Sequence, residues 1–108
     1  CGLLIYRGAA RYYTEDATMR ENQAEPRRGR STLVAQETAV LDRTESVAST
    51  CVRPVLVNGD HVAIHWIFEF TFKGGGRMRM EEIAWQRWEG DRIAEEQFFY
   101  DPAQRKPG

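Results

Sequence analysis

The stretch HVAIHWIFEFTFK, residues 61–73, carries the clearest structural signal in the sequence. Large apolar side chains recur there at every second position, so one face of an extended chain would carry Val62, Ile64, Trp66, Phe68, Phe70 and Phe72. This alternation is typical of a β-strand with one buried face. At ~3.3 Å per residue the strand would extend ~43 Å, so we expect a sheet that bends sharply.

Three further runs with strand character lie at residues 47–57, 77–88 and 92–100. The connecting turns contain Asn58-Gly59, Gly74-Gly75-Gly76 and Glu89-Gly90-Asp91. Because such turns are too short to hold a crossover helix, the four strands are predicted to form an antiparallel meander. Pro54 cannot donate a backbone hydrogen bond, which predicts an edge position or a bulge for the first of these strands.

The upstream part of the chain is predicted to supply short helices. Residues 3–13 and 32–42 have helical apolar spacing, the second with Ser31 as its N-cap, and residues 17–21 are predicted to form a short strand. The sequence therefore indicates an α+β fold. In this fold the strongly curved antiparallel sheet consists of a four-strand meander and a short strand. The sheet wraps around short helices.

The outer side of this sheet is expected to be a dimer interface. Two helices cannot cover both faces of the sheet, and Ile67, Ile83 and Trp85 lie on the face that the helices leave open. An apolar patch of this size is typical of a surface that another protein covers. We therefore expect a homodimer that forms through the outer sheet face.

Composition limits the class of protein. The chain has 108 residues, of which 42% are hydrophobic and 29% charged, as in one folded domain spanning residues 1–108. A net charge of -1 excludes a globally basic nucleic-acid binder, and a solvated loop explains Arg27, Arg28 and Arg30. No apolar run reaches the ~18 residues of a membrane span. The cysteines, Cys1 and Cys51, lack metal-ligand spacing, so we expect a reduced, cytoplasmic protein.

Four short motifs follow one another along the chain. They are Tyr13-Thr14-Glu15-Asp16-Ala17-Thr18-Met19, Arg28-Gly29-Arg30-Ser31, Glu89-Gly90-Asp91-Arg92-Ile93 and Phe99-Tyr100-Asp101. In this order they resemble the nuclear-transport-factor-2-like superfamily, which includes SnoaL-like polyketide cyclases and ketosteroid isomerase. The resemblance covers most of residues 12–101. It implies a cone-shaped α+β barrel, often homodimeric, with a pocket between the helices and the concave sheet, and with a first helix shorter than is usual.

The resemblance carries over only one of three catalytic groups of ketosteroid isomerase. The general-base carboxylate matches Glu21, whereas the position of the oxyanion-hole aspartate holds Ala84. The oxyanion-hole tyrosine would precede Cys1. Ketosteroid isomerase activity itself is therefore not expected. Barrels of this superfamily also host cyclases, dehydratases, epoxide hydrolases and non-catalytic binders, so the fold does not fix a reaction.

Strand alternation and the resemblance together predict which side chains face the pocket. The ligand-binding wall is expected to contain Ile64, Trp66, Phe68, Phe70, Met80, Gln86 and Phe98. A mostly apolar wall with a few polar groups is typical of a small-molecule pocket. The polar groups predicted to face it are Glu21, Glu82, Glu96 and Tyr100.

The three glutamates are the candidate catalytic groups. Desolvation raises the pKa of a carboxyl group, and two close carboxyls separate into an acid and a base. As a hypothesis, Glu21 is the base, Glu82 or Glu96 is the acid, and Tyr100 donates a hydrogen bond to the substrate. The alternative is structural: Glu82 and Glu96 either face water or form ion pairs with Arg79, Arg87 or Arg92.

The predicted function is that of a SnoaL-like pocket protein that binds a small apolar or aromatic molecule. Cofactor-free acid–base chemistry, such as isomerisation, cyclisation or hydration, is the expected activity. The alternative is a non-catalytic ligand-binding, protein-interaction or dimerisation module with the same fold. No metal site is expected, because His61 and His65 share a strand face without a third ligand. Neither nucleic acid nor a membrane is an expected partner.

Overall fold

A curved six-stranded β-sheet and one long helix form the body of the protein in a computed structural model, which describes residues 9–105. In chain order the elements are a helical turn α1 (Ala9–Tyr12), β1 (Tyr13–Glu21), β2 (Arg27–Arg28), α2 (Arg30–Asp42), β3 (Thr44–Asn58), β4 (His61–Phe72), β5 (Arg77–Glu89), β6 (Arg92–Phe99) and a short 3-10 helix (Pro102–Arg105). The strand order in the sheet is β2-β1-β6-β5-β4-β3. This is the predicted α+β cone, with a sheet that does not close.

The meander of β3 to β6 confirms the sequence prediction. Consecutive strands pair in antiparallel fashion, and the turns connect Asn58 to His61 and Glu89 to Arg92. β3 is an edge strand, and its register with β4 shifts between Val52 and Leu56. Pro54 lies within this shift, where its missing N–H costs no ladder hydrogen bond.

The first strand differs from the prediction. β1 pairs in parallel with β6, so the sheet is mixed and not wholly antiparallel. A parallel partner is possible because α2 and the whole meander connect the two strands, which gives the chain room to return in the same direction. β1 also begins at Tyr13, within the predicted helix. Of that helix at residues 3–13, only α1 is described as helical, and residues 3–8 lie outside the described part of the chain.

The start of α2 is set by a glycine and not by a polar side chain. Gly29 is the N-cap, with a φ of 97° that favours glycine, and no side chain caps the helix. Ser31 lies inside the helix, so its prediction as the N-cap was wrong. The backbone N–H of Gly29 donates to the carbonyl of Ala17 at 2.8 Å. This bond fixes the first turn of α2 beside β1.

Two apolar clusters fill the interior. The larger lies on the inner face of β4, β5 and β6 and contains Trp66, Phe68, Phe70, Met80, Ala84 and Phe98. The smaller joins α2 to β1 and β6 and contains Tyr13, Ala17, Leu33 and Ile93. Within residues 9–105, no helix has the length and apolar character needed to cross a membrane.

Candidate functional site

A cavity of about 300 Å³ lies between α2 and the inner face of the sheet. Apolar side chains form most of its wall: Met19, Leu33, Val40, Phe70, Phe72, Met78, Met80 and Phe98. The polar and charged lining residues are Tyr13, Glu21, Arg27, Gln36, Glu37, Arg43, Glu82 and Arg105. A concave apolar space with a few charged groups is suited to a small organic molecule.

Glu82 is the buried carboxyl group that faces this cavity. It lies on β5 opposite Trp66 of β4, and only 7% of its surface is exposed. Among the described residues, its carboxyl group makes no hydrogen bond or ion pair, and Arg105 acts on it only through its charge. Burial raises the pKa of Glu82 to about 7, helped by the negative charges of Glu96 and Glu21 and opposed by Arg105. Glu82 can therefore hold or release a proton near neutral pH.

Glu21 lies at the edge of the same cavity, but its carboxylate is fully engaged. The Tyr100 hydroxyl donates to its Oε1 at 2.6 Å. Arg27 lies 3.4 Å from Oε2, and Arg105 lies 3.5 Å from Oε1. Two guanidinium groups and a hydroxyl therefore contact this carboxylate. Burial and the bond to Glu21 raise the pKa of Tyr100, which keeps its hydroxyl protonated at neutral pH.

Glu96 is buried behind the cavity wall and does not line the cavity. Its Oε1 accepts a hydrogen bond from the Tyr13 hydroxyl, and its Oε2 accepts one from Gln86 Nε2 at 2.6 Å. Gln86 Oε1 in turn accepts from Trp88 Nε1 at 3.0 Å. Burial raises the pKa of Glu96 to about 7, although the bonds from Tyr13 and Gln86 act in the opposite direction. We call Tyr13, Gln86, Trp88 and Glu96 the buried network.

Glu37 is a cavity residue that the sequence prediction missed as a site residue. It is half-buried on α2, on the helix face that also turns Leu33 and Val40 towards the cavity. Burial alone raises the pKa of Glu37 to about 7, and no described residue pairs with it. The available signal was one acidic residue at helical spacing within an apolar stripe. That pattern was interpreted only as helix packing.

The predicted ligand wall is divided between the cavity and the solid core. Phe70, Met80 and Phe98 line the cavity. The four residues that do not line it are Ile64, Trp66, Phe68 and Gln86. All of these positions face inward, as alternation requires, but Trp66 and Phe68 stack at 5.3 Å and fill the space in front of them. Alternation shows which side chains face inward, but it does not show where along the strand the cavity lies. That position decides whether an inward side chain lines the cavity or packs in the core.

The histidines and the cysteine lie apart from the cavity. His65 Nε2 is 2.7 Å from Glu81 Oε2, and His61 Nδ1 is 2.8 Å from Asp60. Among the described residues, no three side chains of His, Cys, Asp or Glu come together as a metal site would require. Cys51 is half-buried and disulfide-bonded, so the expectation of reduced cysteines was wrong.

Comparisons with known proteins identify the same architecture. The SnoaL-like domain family model matches residues 6–96. A protein of ketosteroid isomerase-like fold from Catenulispora acidiphila, solved in complex with trimethylamine, is 19% identical with a TM-score of 0.77, over 95% of this chain and 79% of that one.

Two further solved structures are similar at comparable identity. An LEH-like epoxide hydrolase from M. tuberculosis is 12% identical, with a TM-score of 0.78, over 93% of this chain and 73% of that one. A protein proposed to be a SnoaL-like polyketide cyclase from Mesorhizobium loti is 23% identical, with a TM-score of 0.69, over 90% of each chain. At these identities the likeness concerns the fold. No curated protein matches the chain.

Proposed function

The chain belongs to the SnoaL-like domain family, and from that premise we propose that it binds a small, largely apolar molecule and performs cofactor-free acid–base chemistry on it. Isomerisation, cyclisation and hydration all require a proton to be moved at a carbon or oxygen atom. Glu82 is the observation that carries this proposal. It is a buried carboxyl group that makes no hydrogen bond or ion pair with the described residues, and it faces an apolar cavity with a pKa of about 7.

The proposed role of Glu82 is to take a proton from the substrate and return it elsewhere. A carboxyl whose pKa lies near the working pH has both its acid and its base form available, which is the best compromise for proton transfer. In an isomerisation one such group suffices: the proton leaves one carbon for the carboxylate and then moves from the carboxylic acid to a second carbon. No external oxidant, reductant or metal is consumed.

Glu21 and Tyr100 are given a supporting role in this proposal. The Glu21 carboxylate accepts a hydrogen bond from Tyr100 and forms ion pairs with Arg27 and Arg105, so it has less capacity to act as the base. Its negative charge instead raises the pKa of Glu82. Glu96 acts on Glu82 in the same way from behind the wall. The base and the acid are thus proposed to be two protonation states of Glu82.

Hydrogen exchange tests the proposal without knowledge of the natural substrate. The probes are three enolisable ketones, cyclohexanone, acetophenone and indanone, incubated with the protein in D₂O while NMR follows loss of the α-hydrogen signal. Saturation transfer identifies which of them enter the cavity. We expect Glu82→Gln to slow exchange of a bound ketone by about 10²–10⁴-fold, the usual contribution of a positioned acid–base group. The control is Glu81→Gln, on the exposed side of the same strand.

The non-catalytic alternative makes a different prediction for the same samples. If the ketones bind but exchange equally fast with Glu82 and with Gln at that position, the cavity is a binding site only. If none of the probes enters the cavity or exchanges, the proposal for this class of substrate is wrong.

A homodimer through the outer sheet face is the second part of the proposal. Ile83, Trp85 and Phe99 lie on neighbouring strands β5 and β6, and 45% of the Trp85 surface is exposed. Large apolar side chains grouped in this way favour a covered surface. Sedimentation equilibrium should give a dimer for the native chain and a monomer for Trp85→Arg. A native chain that stays monomeric at high concentration contradicts this part.

The cytoplasmic location remains a prediction. It requires that the disulfide at Cys51 open in the cell, because the cytoplasm keeps protein thiols reduced. Acid-quenched thiol labelling of the protein in its own cells measures this directly. An oxidised Cys51 there contradicts the prediction.

A further inference from the structure

Three carboxyl groups and three guanidinium groups line the cavity, but they are not all paired with one another. Glu21 is matched by Arg27 and Arg105. Arg43 is exposed, and its Nε donates to the Ala39 carbonyl of its own helix at 3.3 Å. Among the described residues, Glu37 and Glu82 make no hydrogen bond or ion pair, although the positive charge of Arg105 acts on Glu82. Glu37 is therefore the lining carboxyl group that has neither an ion pair nor a neighbouring positive charge acting on it.

The Tyr13 side chain also lines the cavity, and its hydroxyl donates its hydrogen to Glu96 behind the wall. The carboxylates of Glu37 and Glu82 are acceptors when ionised. A ligand that satisfies this interior must bring hydrogen-bond donors or positive charge of its own.

Aromatic faces complete this environment. Phe70 and Phe72 both line the cavity, with ring centroids 6.0 Å apart and planes inclined by 4°. Phe98 contributes a third ring from β6. The negative face of an aromatic ring attracts a cation, most strongly where water is excluded. Carboxylates and ring faces together are the usual surroundings of an organic ammonium group.

We infer that the molecule bound in the cavity carries a positively charged nitrogen on an apolar body, and that Glu37 is its counter-ion. The inference rests on the proposed function and adds to it the chemical class of the ligand. Glu37 is assigned to the charge and Glu82 to proton transfer, because Glu37 lies on α2 and Glu82 lies on β5, and both line the cavity between the helix and the sheet.

The test compares a permanent cation with a neutral molecule of nearly the same shape. Benzyltrimethylammonium and dimethyl benzyl carbinol have the same number of heavy atoms, and the carbinol replaces the charged nitrogen by carbon and one methyl group by a hydroxyl. Calorimetry or NMR titration gives the Kd of each. We expect the native protein to bind the cation at least about tenfold more tightly than the carbinol.

Two variants locate the effect. Glu37→Gln should reduce the preference for the cation to less than about threefold, because its amide keeps the shape but not the charge. Glu45→Gln changes an exposed glutamate beyond the end of α2 and should leave the preference intact. Binding of the carbinol should be equal in all three proteins, which shows that each cavity is folded.

The pH dependence supplies an independent measurement. Benzyltrimethylammonium does not titrate, so any change in its affinity comes from the protein. With the pKa of Glu37 at about 7, binding should strengthen about tenfold from about pH 6 to about pH 8 as the carboxylate forms. The other charged groups around the cavity are Glu21, Arg27, Arg43, Glu82 and Arg105. Residual dependence in Glu37→Gln would report Glu82.

Several outcomes would overturn the inference. Equal affinity for the two probes, or binding of neither, shows that the cavity does not select a cation. A preference that survives Glu37→Gln but disappears in Glu82→Gln shows that Glu37 is not the counter-ion. Each of these results leaves ketone exchange by Glu82 unaffected, so the failure of the inference is distinct from failure of the proposed function.

Discussion

Glu82 and Glu96 are two buried carboxyl groups on neighbouring strands, and burial raises the pKa of each to about 7. Their surroundings differ. Glu96 belongs to the filled part of the cone, where the buried network supplies a donor to each of its oxygens. Glu82 belongs to the hollow part, where it faces the cavity and no side chain within residues 9–105 donates a hydrogen bond to it. A perturbed pKa is therefore not evidence of function in itself. It becomes evidence of function when the group lies beside an open cavity and no described side chain forms a hydrogen bond with it.

The largest expected effect contrasts the two parts of the cone through their aromatic side chains. Phe68 is fully buried in the filled part, so Phe68→Ala should lower the free energy of unfolding by about 3–5 kcal/mol. Phe72 is half-buried and lines the cavity, so part of its surface already lacks packing partners and Phe72→Ala should cost only about 1–2 kcal/mol. Urea unfolding measures both. Equal losses would mean that the cavity is packed shut in solution.

A second contrast concerns the two carboxyl groups themselves. At pH 5, where both are mostly protonated, Glu96→Ala should destabilise the fold by about 2–4 kcal/mol because Tyr13 and Gln86 lose their buried partner. Glu82→Ala removes no hydrogen bond to a described residue and should cost about 1 kcal/mol or less. Urea unfolding of both variants at that pH is the measurement. A reversed order would show that Glu96, and not Glu82, is the unsatisfied group.

The smallest expected effect is a gain in stability. Because the pKa of Glu82 rises from 4.5 to about 7 on folding, the native state binds more protons than the unfolded state between these values. The stability associated with this group is complete below about pH 4.5 and is lost as the pH rises through about 7. Glu82→Gln should therefore stabilise the protein by about 2–3 kcal/mol at pH 8 and by nearly nothing at pH 4. Thermal unfolding of both proteins across this pH range is the measurement. If the stability of the variant has the same pH dependence as that of the native chain, Glu82 is solvated and the prediction is wrong.

The strands of the meander were predictable because their signals are local. Period-2 alternation and the Asn-Gly and glycine-rich turns decide where β3 to β6 begin and end, whatever the rest of the chain does. The parallel pairing of β1 with β6 was not predictable in this way. It depends on contacts between residues about 80 positions apart, such as Tyr13 with Glu96.

The candidate site was predictable in part. Inward direction could be deduced for Glu82, Phe70 and Met80 from alternation, and the cavity does contain them. Whether Phe68 would fill the interior or border an empty space depends on where α2 lies over the sheet, which no local pattern reports. Glu37 was missed for the same reason, since its importance comes only from the cavity that its helix faces.

The parallel contact of β1 with β6 has a consequence for how the protein is made on the ribosome. The hairpins of β3, β4 and β5 contain only near neighbours and can form as soon as they leave the exit tunnel. Glu21 meets Tyr100 and Arg105 only when residues 92–105 have emerged. Until then β1 lacks its partner strand β6, and the inner face of the nascent sheet is exposed to chaperones. The protein is thus expected to acquire its ligand-binding cavity in a single step, late in its synthesis.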